Sequence, residues 1–210
     1  MKVKLLRYTP YPAELVGEAA AICTASEDYD RSRKGAMASG HMSVTEHASY
    51  TFRVEGVSRA LLAQITRHRI ASFSVESQRY VQMDDMQYVT PPTIAANYAA
   101  EAAYASAMDE IEGLYHQLIA YGIPAEDARF VLPNACETKL IMTMNARELL
   151  HFFSLRCCNR AQWEIRELAG EMLELCRDVS PELFKKAGPG CVRGKCPEGK
   201  MSCGRPRGNG

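Results

Sequence analysis

From Thr93 to Tyr121 the sequence is rich in alanine and free of proline, with Thr90-Pro91-Pro92 before it and Gly122 after it. Ile94, Tyr98, Met108, Ile111, Tyr115, Leu118 and Ile119 recur along it as an apolar stripe. The spacing predicts one long helix ended by the glycine, with a single face that must be covered by other elements. That helix is scaffold. What surrounds it in sequence decides the fold class.

Short elements of the other kind flank it. Val3 to Tyr8, Tyr50 to Val54 and Thr138 to Met144 have the length and apolar content of strands. Helices are expected over Ala13 to Cys23 (Leu15, Ala19, Ile22), Ser58 to Thr66 (Leu61 and Ile65, with Ser58 as cap) and Ile123 to Pro133. Two more are expected from Asn145 onward and over Gln162 to Arg177, the latter with its glutamates mostly outward. Ser26 to Arg33 is charged and expected to be exposed, and His47 with Glu46 is expected to cap the strand that follows. Sheet and helix segments are intermixed and no repeat is visible. The expectation is an α+β fold, a small, largely antiparallel sheet packed with several helices in a single domain. That domain spans 1–187, and a Gly/Cys-rich basic tail occupies 188–210.

Charge narrows the range of partners. With 25 basic and 25 acidic residues among 210, the net charge is zero, so no global field recruits nucleic acid or a membrane surface and anion binding must be local. No run of about 18 apolar residues exists and the N-terminus lacks a secretory pattern, so a cytoplasmic protein is expected. Of eight cysteines, Cys23, Cys136, Cys157, Cys158 and Cys176 fall in core-like segments and are read as reduced and mostly buried. Cys191, Cys196 and Cys203 offer three thiolates without a nearby fourth ligand, so no metal is expected.

The local anion site is legible in Arg67-His68-Arg69-Ile70-Ala71-Ser72-Phe73-Ser74-Val75-Glu76-Ser77-Gln78-Arg79-Tyr80. Guanidinium groups suit phosphate and carboxylate, and serine hydroxyls can donate to the same oxygens. A lone Arg-His-Arg is more often a solvated loop; the whole pattern, R-H-R-x-x-S-x-x-x-x-S-x-R, is not. The chain is expected to leave a helix at Arg69 and become extended, with Phe73, Val75, Ser77 and Arg79 on one side and Ser72, Ser74 and Glu76 on the other. A second dense segment, Asn145 to Ile165, carries Arg147, His151 and Ser154 on one helical stripe. Arg156 lies on the opposite, apolar face, where it needs a partner.

That pattern resembles the signature of the flavin-dependent thymidylate synthases. Gly40-His41 with Glu46-His47, the A-R-x-x-L-P segment at Arg129, and N-A-R-x-L-x-x-F-x-x-L-R-x-x-x-x-A-Q-W-E from Asn145 to Glu164 also resemble that family. The resemblance implies reductive methylation of deoxyuridine monophosphate (dUMP) to thymidine monophosphate (dTMP), with FAD as cofactor and methylenetetrahydrofolate and NADPH as co-substrates. It implies a homotetramer with shared active sites. Gln64, Arg67, Glu76, Ser77, Gln78, Arg79, Arg129 and Arg156 would contact dUMP, and His41, Arg67, His68, Arg69, Asn145, Arg147 and His151 would contact FAD, with Arg160 at a further flavin-side position. Arg156 and Ser77 are the catalytic candidates, Ser77 more as a binding hydroxyl than as a nucleophile, since a serine nucleophile needs an adjacent base. The rivals are a nucleic-acid-binding module built on Arg67-His68-Arg69 and the basic tail, and a flavoprotein acting on another nucleotide.

Overall fold

The computed structural model describes residues 1–207. Four strands, β1 (Lys2–Tyr8), β2 (Ser49–Ser58), β3 (Ala71–Val75) and β4 (Glu137–Asn145), form one antiparallel sheet in the order β1-β2-β4-β3. Around it run α1 (Pro12–Thr24), α2 (Tyr29–Ala38), α3 (Arg59–Ile65), α4 (Pro92–Ala95), α5 (Tyr98–Ala120), α6 (Ala125–Ala128), α7 (Ala146–Arg156), α8 (Trp163–Val179) and α9 (Pro181–Phe184). The α+β expectation holds. In β4, Thr138, Leu140, Met142 and Met144 are buried and the residues between them face outward, the period-2 signature of a sheet covered on one face. β2 buries Tyr50, Phe52 and Val54, then slips phase to Val57 across Gly56, whose φ of 68° suits a residue without a Cβ.

The chain divides into two compact units. One comprises Met1–Lys2, Val54–Thr66 and Ser74–Leu140; the other comprises Val3–Arg53, Arg67–Phe73 and the chain from Ile141 on. In the first, Met86, Met108 and Cys136 form a buried cluster with Tyr88, Tyr104 and Ile111 packed on it. In the second, Tyr50, Phe152, Phe153 and Phe184 are fully buried and meet edge to face, at centroid separations of 5.4 to 5.9 Å. Each such ring, fully buried, contributes about 1.5–3 kcal/mol. The Tyr50 hydroxyl is satisfied by Ser180 at 2.8 Å.

Several expectations are corrected. The long helix is two: α4 ends at Ala95, and Asn97 restarts the chain by accepting from the Ala100 backbone N–H at 3.1 Å, an N-cap inside a run whose alanine content predicts continuity. Ser26 to Arg33 is largely exposed, as expected, with Arg33 as the exception. Asp28 caps α2, and Arg33 is only 6% exposed, paired with Asp30 and donating to the Glu182 carbonyl at 3.3 Å. α3 ends at Ile65, so it carries Gln64 but not Arg67. Glu46 turns to Arg147 instead of capping β2 with His47. The α8 glutamates are mostly outward as expected, Glu167, Glu171 and Glu174 being exposed and Glu164 buried, whereas Cys23, expected inside, is exposed.

Of the tail, Gly208 to Gly210 lie outside the described residues. Gly188 to Arg207 packs locally: Cys191 is buried, Arg207 donates its backbone N–H to the Cys191 sulfur, and its guanidinium reaches Asn159 at 3.0 Å.

Candidate active site

In the second unit the Arg67-His68-Arg69 stretch meets α7. A cavity of about 630 Å³ is lined by Arg67, His68, Arg69, His151, Arg156 and Arg160, with Ile70 and Leu155 as apolar wall and Glu148 and Glu198 as its acids. Asn145 starts α7 by accepting from the Glu148 N–H at 2.9 Å, and that cap sets the helical phase placing Glu148, His151 and Arg156 on the cavity. Arg67 and Arg69 are exposed; His68 is buried, 5% exposed.

His68 has both ring nitrogens engaged. Nδ1 lies 2.7 Å from Glu148 Oε1, and Nε2 accepts from Arg156 Nε at 3.1 Å. The ring packs edge-on against Phe152, with His151 on another side. Burial, and then the Arg156 charge, push the His68 pKa below its ordinary range against the opposing pull of Glu148. The partner that Arg156 needs on the apolar face is therefore His68. Glu148 was not singled out from sequence, because N-x-x-E at a helix start ordinarily spends its glutamate on the cap. Its burial at 8% exposure is the structural sign of another use.

Arg147, on the other stripe of α7, pairs with Glu46 and faces a second cavity of about 850 Å³, where Arg33, Lys34, Lys185, Lys186 and Arg193 add positive charge. His151 lines both cavities. His41 is exposed at the start of a short 3-10 turn, Met42–His47, with its backbone N–H on the Ala36 carbonyl at 2.9 Å. Its neighbours Gly40 and Met42 line the second cavity. Arg160 pairs with Glu198 of the tail at 2.9 Å.

The remaining sequence-derived residues lie in the first unit. β3 ends at Val75, and the extended geometry expected to run on through Arg79 gives way to a turn in which Ser77 Oγ accepts the Arg79 N–H at 3.2 Å. Arg79 donates Nε to the Glu126 carboxylate at 2.9 Å and lies over the Tyr80 ring. Arg129 donates to the Glu126 backbone carbonyl at 3.0 Å. Two expected nucleotide-binding arginines thus converge on one residue. Glu76 pairs with Lys139 at 2.6 Å, Gln64 donates to the Ala60 carbonyl at 3.3 Å, and Gln78 is half-buried. Among the described residues, no ionisable base hydrogen-bonds the Ser77 hydroxyl.

Arg59 escaped the sequence reading. Its Nη2 holds the Glu76 carbonyl at 2.9 Å, fixing the turn after β3, and burial lowers its pKa. A cation in the first turn of a helix opposes the helix dipole, which was the available signal that this side chain serves something else.

The family model described as "Thymidylate synthase complementing protein" matches residues 4–182. The chain is 52% identical to the flavin-dependent thymidylate synthase of Geobacter sulfurreducens over 98% of its own length and 94% of its relative's. It is 46% identical to that of Clostridium tetani with the same coverage. Among solved structures it is similar to a flavin-dependent thymidylate synthase from Helicobacter pylori complexed with FAD and dUMP, at a TM-score of 0.72 and 26% identity, covering 90% of this chain and 100% of that one.

Proposed function

Because this chain belongs to the flavin-dependent thymidylate synthase family, we propose that it converts dUMP to dTMP by reductive methylation, with FAD as its cofactor. Methylenetetrahydrofolate is the carbon donor and NADPH the reductant in this reading. Its carrying observation is the junction of Arg67-His68-Arg69 with α7, a cationic cavity with an apolar wall.

The residues present fit a flavin dinucleotide. A cavity of about 630 Å³ is within the usual range for small-molecule sites, its guanidinium groups suit a pyrophosphate, and Ile70 and Leu155 offer apolar surface to a ring system. Arg67, His68, Arg69 and His151 would hold the cofactor there, with His41, Asn145 and Arg147 contributing from the adjoining loop and helix start. When bound, FAD supplies the hydride that completes the methyl group on the pyrimidine.

The protein's own part is positioning and charge. Arg79 and Arg129, braced against Glu126, would take the dUMP phosphate, while Ser77, Gln78, Gln64 and Glu76 would shape the nucleotide's surroundings. Arg156 would stabilise negative charge developing on the pyrimidine, since a fixed cation in a half-buried site reorganises little during reaction. Ser77 acts as a binding hydroxyl, for its oxygen accepts in the Arg79 turn and no base among the described residues activates it. A homotetramer with shared active sites belongs to the same reading. The protein would work in the cytoplasm; no helix among the described residues is long and apolar enough to cross a membrane. Residues 1–187 would form the catalytic domain and 188–210 an appended tail, whose Glu198 reaches the cavity through Arg160. A polynucleotide-binding role for Arg67-His68-Arg69 finds little support beside a zero net charge and the family match.

The test is an absorption spectrum of the purified protein with FAD, repeated anaerobically with NADPH and then with dUMP and methylenetetrahydrofolate. Bleaching by NADPH, reoxidation that needs both substrates, and release of dTMP are expected. A protein that binds no FAD overturns the reading.

A further inference from the structure

We propose that Glu148 is a positioning residue for this reaction, acting through His68 to fix the guanidinium of Arg156 at the cavity. The inference rests on the function proposed above. It concerns a buried residue of the cavity lining that the functional motifs leave without a role.

The directionality of the three groups is set by chemistry. An arginine Nε–H can only donate, so His68 Nε2, at 3.1 Å, must be the accepting, unprotonated nitrogen. The ring proton then sits on Nδ1 and is donated to Glu148 Oε1 at 2.7 Å. Glu148 accepts that hydrogen bond from the third helical position of α7, near the N-terminus, where the helix dipole favours negative charge. The chain of contacts is thus carboxylate, neutral imidazole, guanidinium. It bridges a buried acid to a half-buried cation without placing the two charges in direct contact.

Each link is constrained from the side. Glu148 and His68 are 8% and 5% exposed, and Phe152 closes on the imidazole edge at 5.0 Å. A side chain as long as arginine loses much of its aim unless something fixes it part-way, and an Nε contact does so while leaving the outer guanidinium plane facing the cavity that Arg156 lines. His68, Glu148 and His151 come close enough together to suggest a cation site. With both His68 nitrogens already committed, however, a metal would have to break either the Nδ1–Glu148 or the Nε2–Arg156 contact, so the geometry favours the relay.

Protonation of His68 breaks it. A second ring proton on Nε2 would face the Arg156 Nε–H, donor against donor. The groups around the ring are Glu148, which favours that proton, and Arg156 and His151, which oppose it; Arg67 and Arg69 flank it in the chain. Activity should therefore carry an acid limb that belongs to His68 and depends on Glu148.

Steady-state turnover of dUMP by the FAD-loaded protein is measured against pH for the wild type, E148A and E148Q, with melting temperature and FAD retention followed alongside. Glu148→Ala should lower kcat/KM for dUMP roughly tenfold to a hundredfold, the scale expected when a reacting group is misplaced by about 1 Å, while FAD stays bound. Glu148→Gln keeps an acceptor for Nδ1 but not the charge, so it should recover part of that loss and move the acid limb to lower pH. Wild-type kinetics in E148A would overturn the proposal. So would equal losses in both variants with an unmoved acid limb, which is the signature of a structural role alone. A wild-type protein that forms no dTMP sinks the functional reading instead, so the two failures are distinguishable.

Discussion

Arg79 is held by three different things: its own backbone N–H on Ser77, its guanidinium on Glu126, and the Tyr80 ring beneath it. A side chain so tethered loses little conformational freedom when an anion arrives, which favours tight phosphate binding. Replacing Arg79 with alanine should abolish dUMP binding and leave FAD binding intact, read by titrating the oxidised flavin spectrum with dUMP. Equal loss of both ligands would sink that division of labour. In the companion variant Ser77→Ala, turnover should persist at saturating dUMP while KM rises, because a hydroxyl that shapes a turn affects binding, whereas a nucleophile's loss would abolish kcat. Arg79, Ser77, His68 and Arg156 were all legible from the motif. Arg59 and Glu148, which brace the site, were not, since each is an ordinary charged residue until its partner from elsewhere in the chain is placed beside it; Glu126 was legible as a local partner of Arg129 but not as the partner of Arg79.

At the level of elements, two glycines of similar sequence context have opposite meanings. Gly17, mid-α1, faces α2 so closely that a Cβ would stand 2.6 Å from the Tyr29 carbonyl oxygen. Gly113, exposed in α5, has nothing within 4 Å of the same construction. Gly17→Ala should therefore destabilise the protein by about 1–3 kcal/mol through overpacking against backbone that cannot yield. Gly113→Ala should stabilise it by roughly 0.5–1 kcal/mol through helix propensity alone. Melting temperatures of the two variants check both signs at once. The same contrast explains which element boundaries were foreseen. Ser58, Asn145 and Gly122 punctuate their helices as expected, because capping is local chemistry. The break at Asn97 was missed because a cap inside an alanine-rich run competes with strong propensity on both sides.

For the whole molecule, the buried His68 couples folding to pH. Its folded-state pKa lies below the ordinary value of 6.5, so the unfolded chain takes up a proton at a pH where the folded chain does not. Stability from this group is full above about pH 6.5 and is lost as pH falls from there toward the lowered folded value. Denaturant midpoints measured between about pH 7 and pH 5 should fall in the wild type and fall less in His68→Gln, which has no ring to protonate. An identical slope in the two proteins would refute the assignment. The buried thiols of Cys136, Cys157 and Cys176 add no such coupling near neutrality: burial pushes Cys136 and Cys157 up to about 11 and Cys176 higher still.

By itself the sequence determined the fold class, the helix punctuation at Ser58, Asn145 and Gly122, and the clustering of cations near Arg67 and Arg147, because periodicity, capping and motif spacing act over a few residues and leave local marks. Only the tertiary structure decided what each charge does. It spent Glu148 on His68 rather than on a helix cap, gave Arg156 an imidazole for its partner, and drew Arg79 and Arg129 to Glu126. Those pairings join positions as many as 88 apart in the chain. Ion pairing and burial depend on distance in space, and no pattern along the chain records that distance.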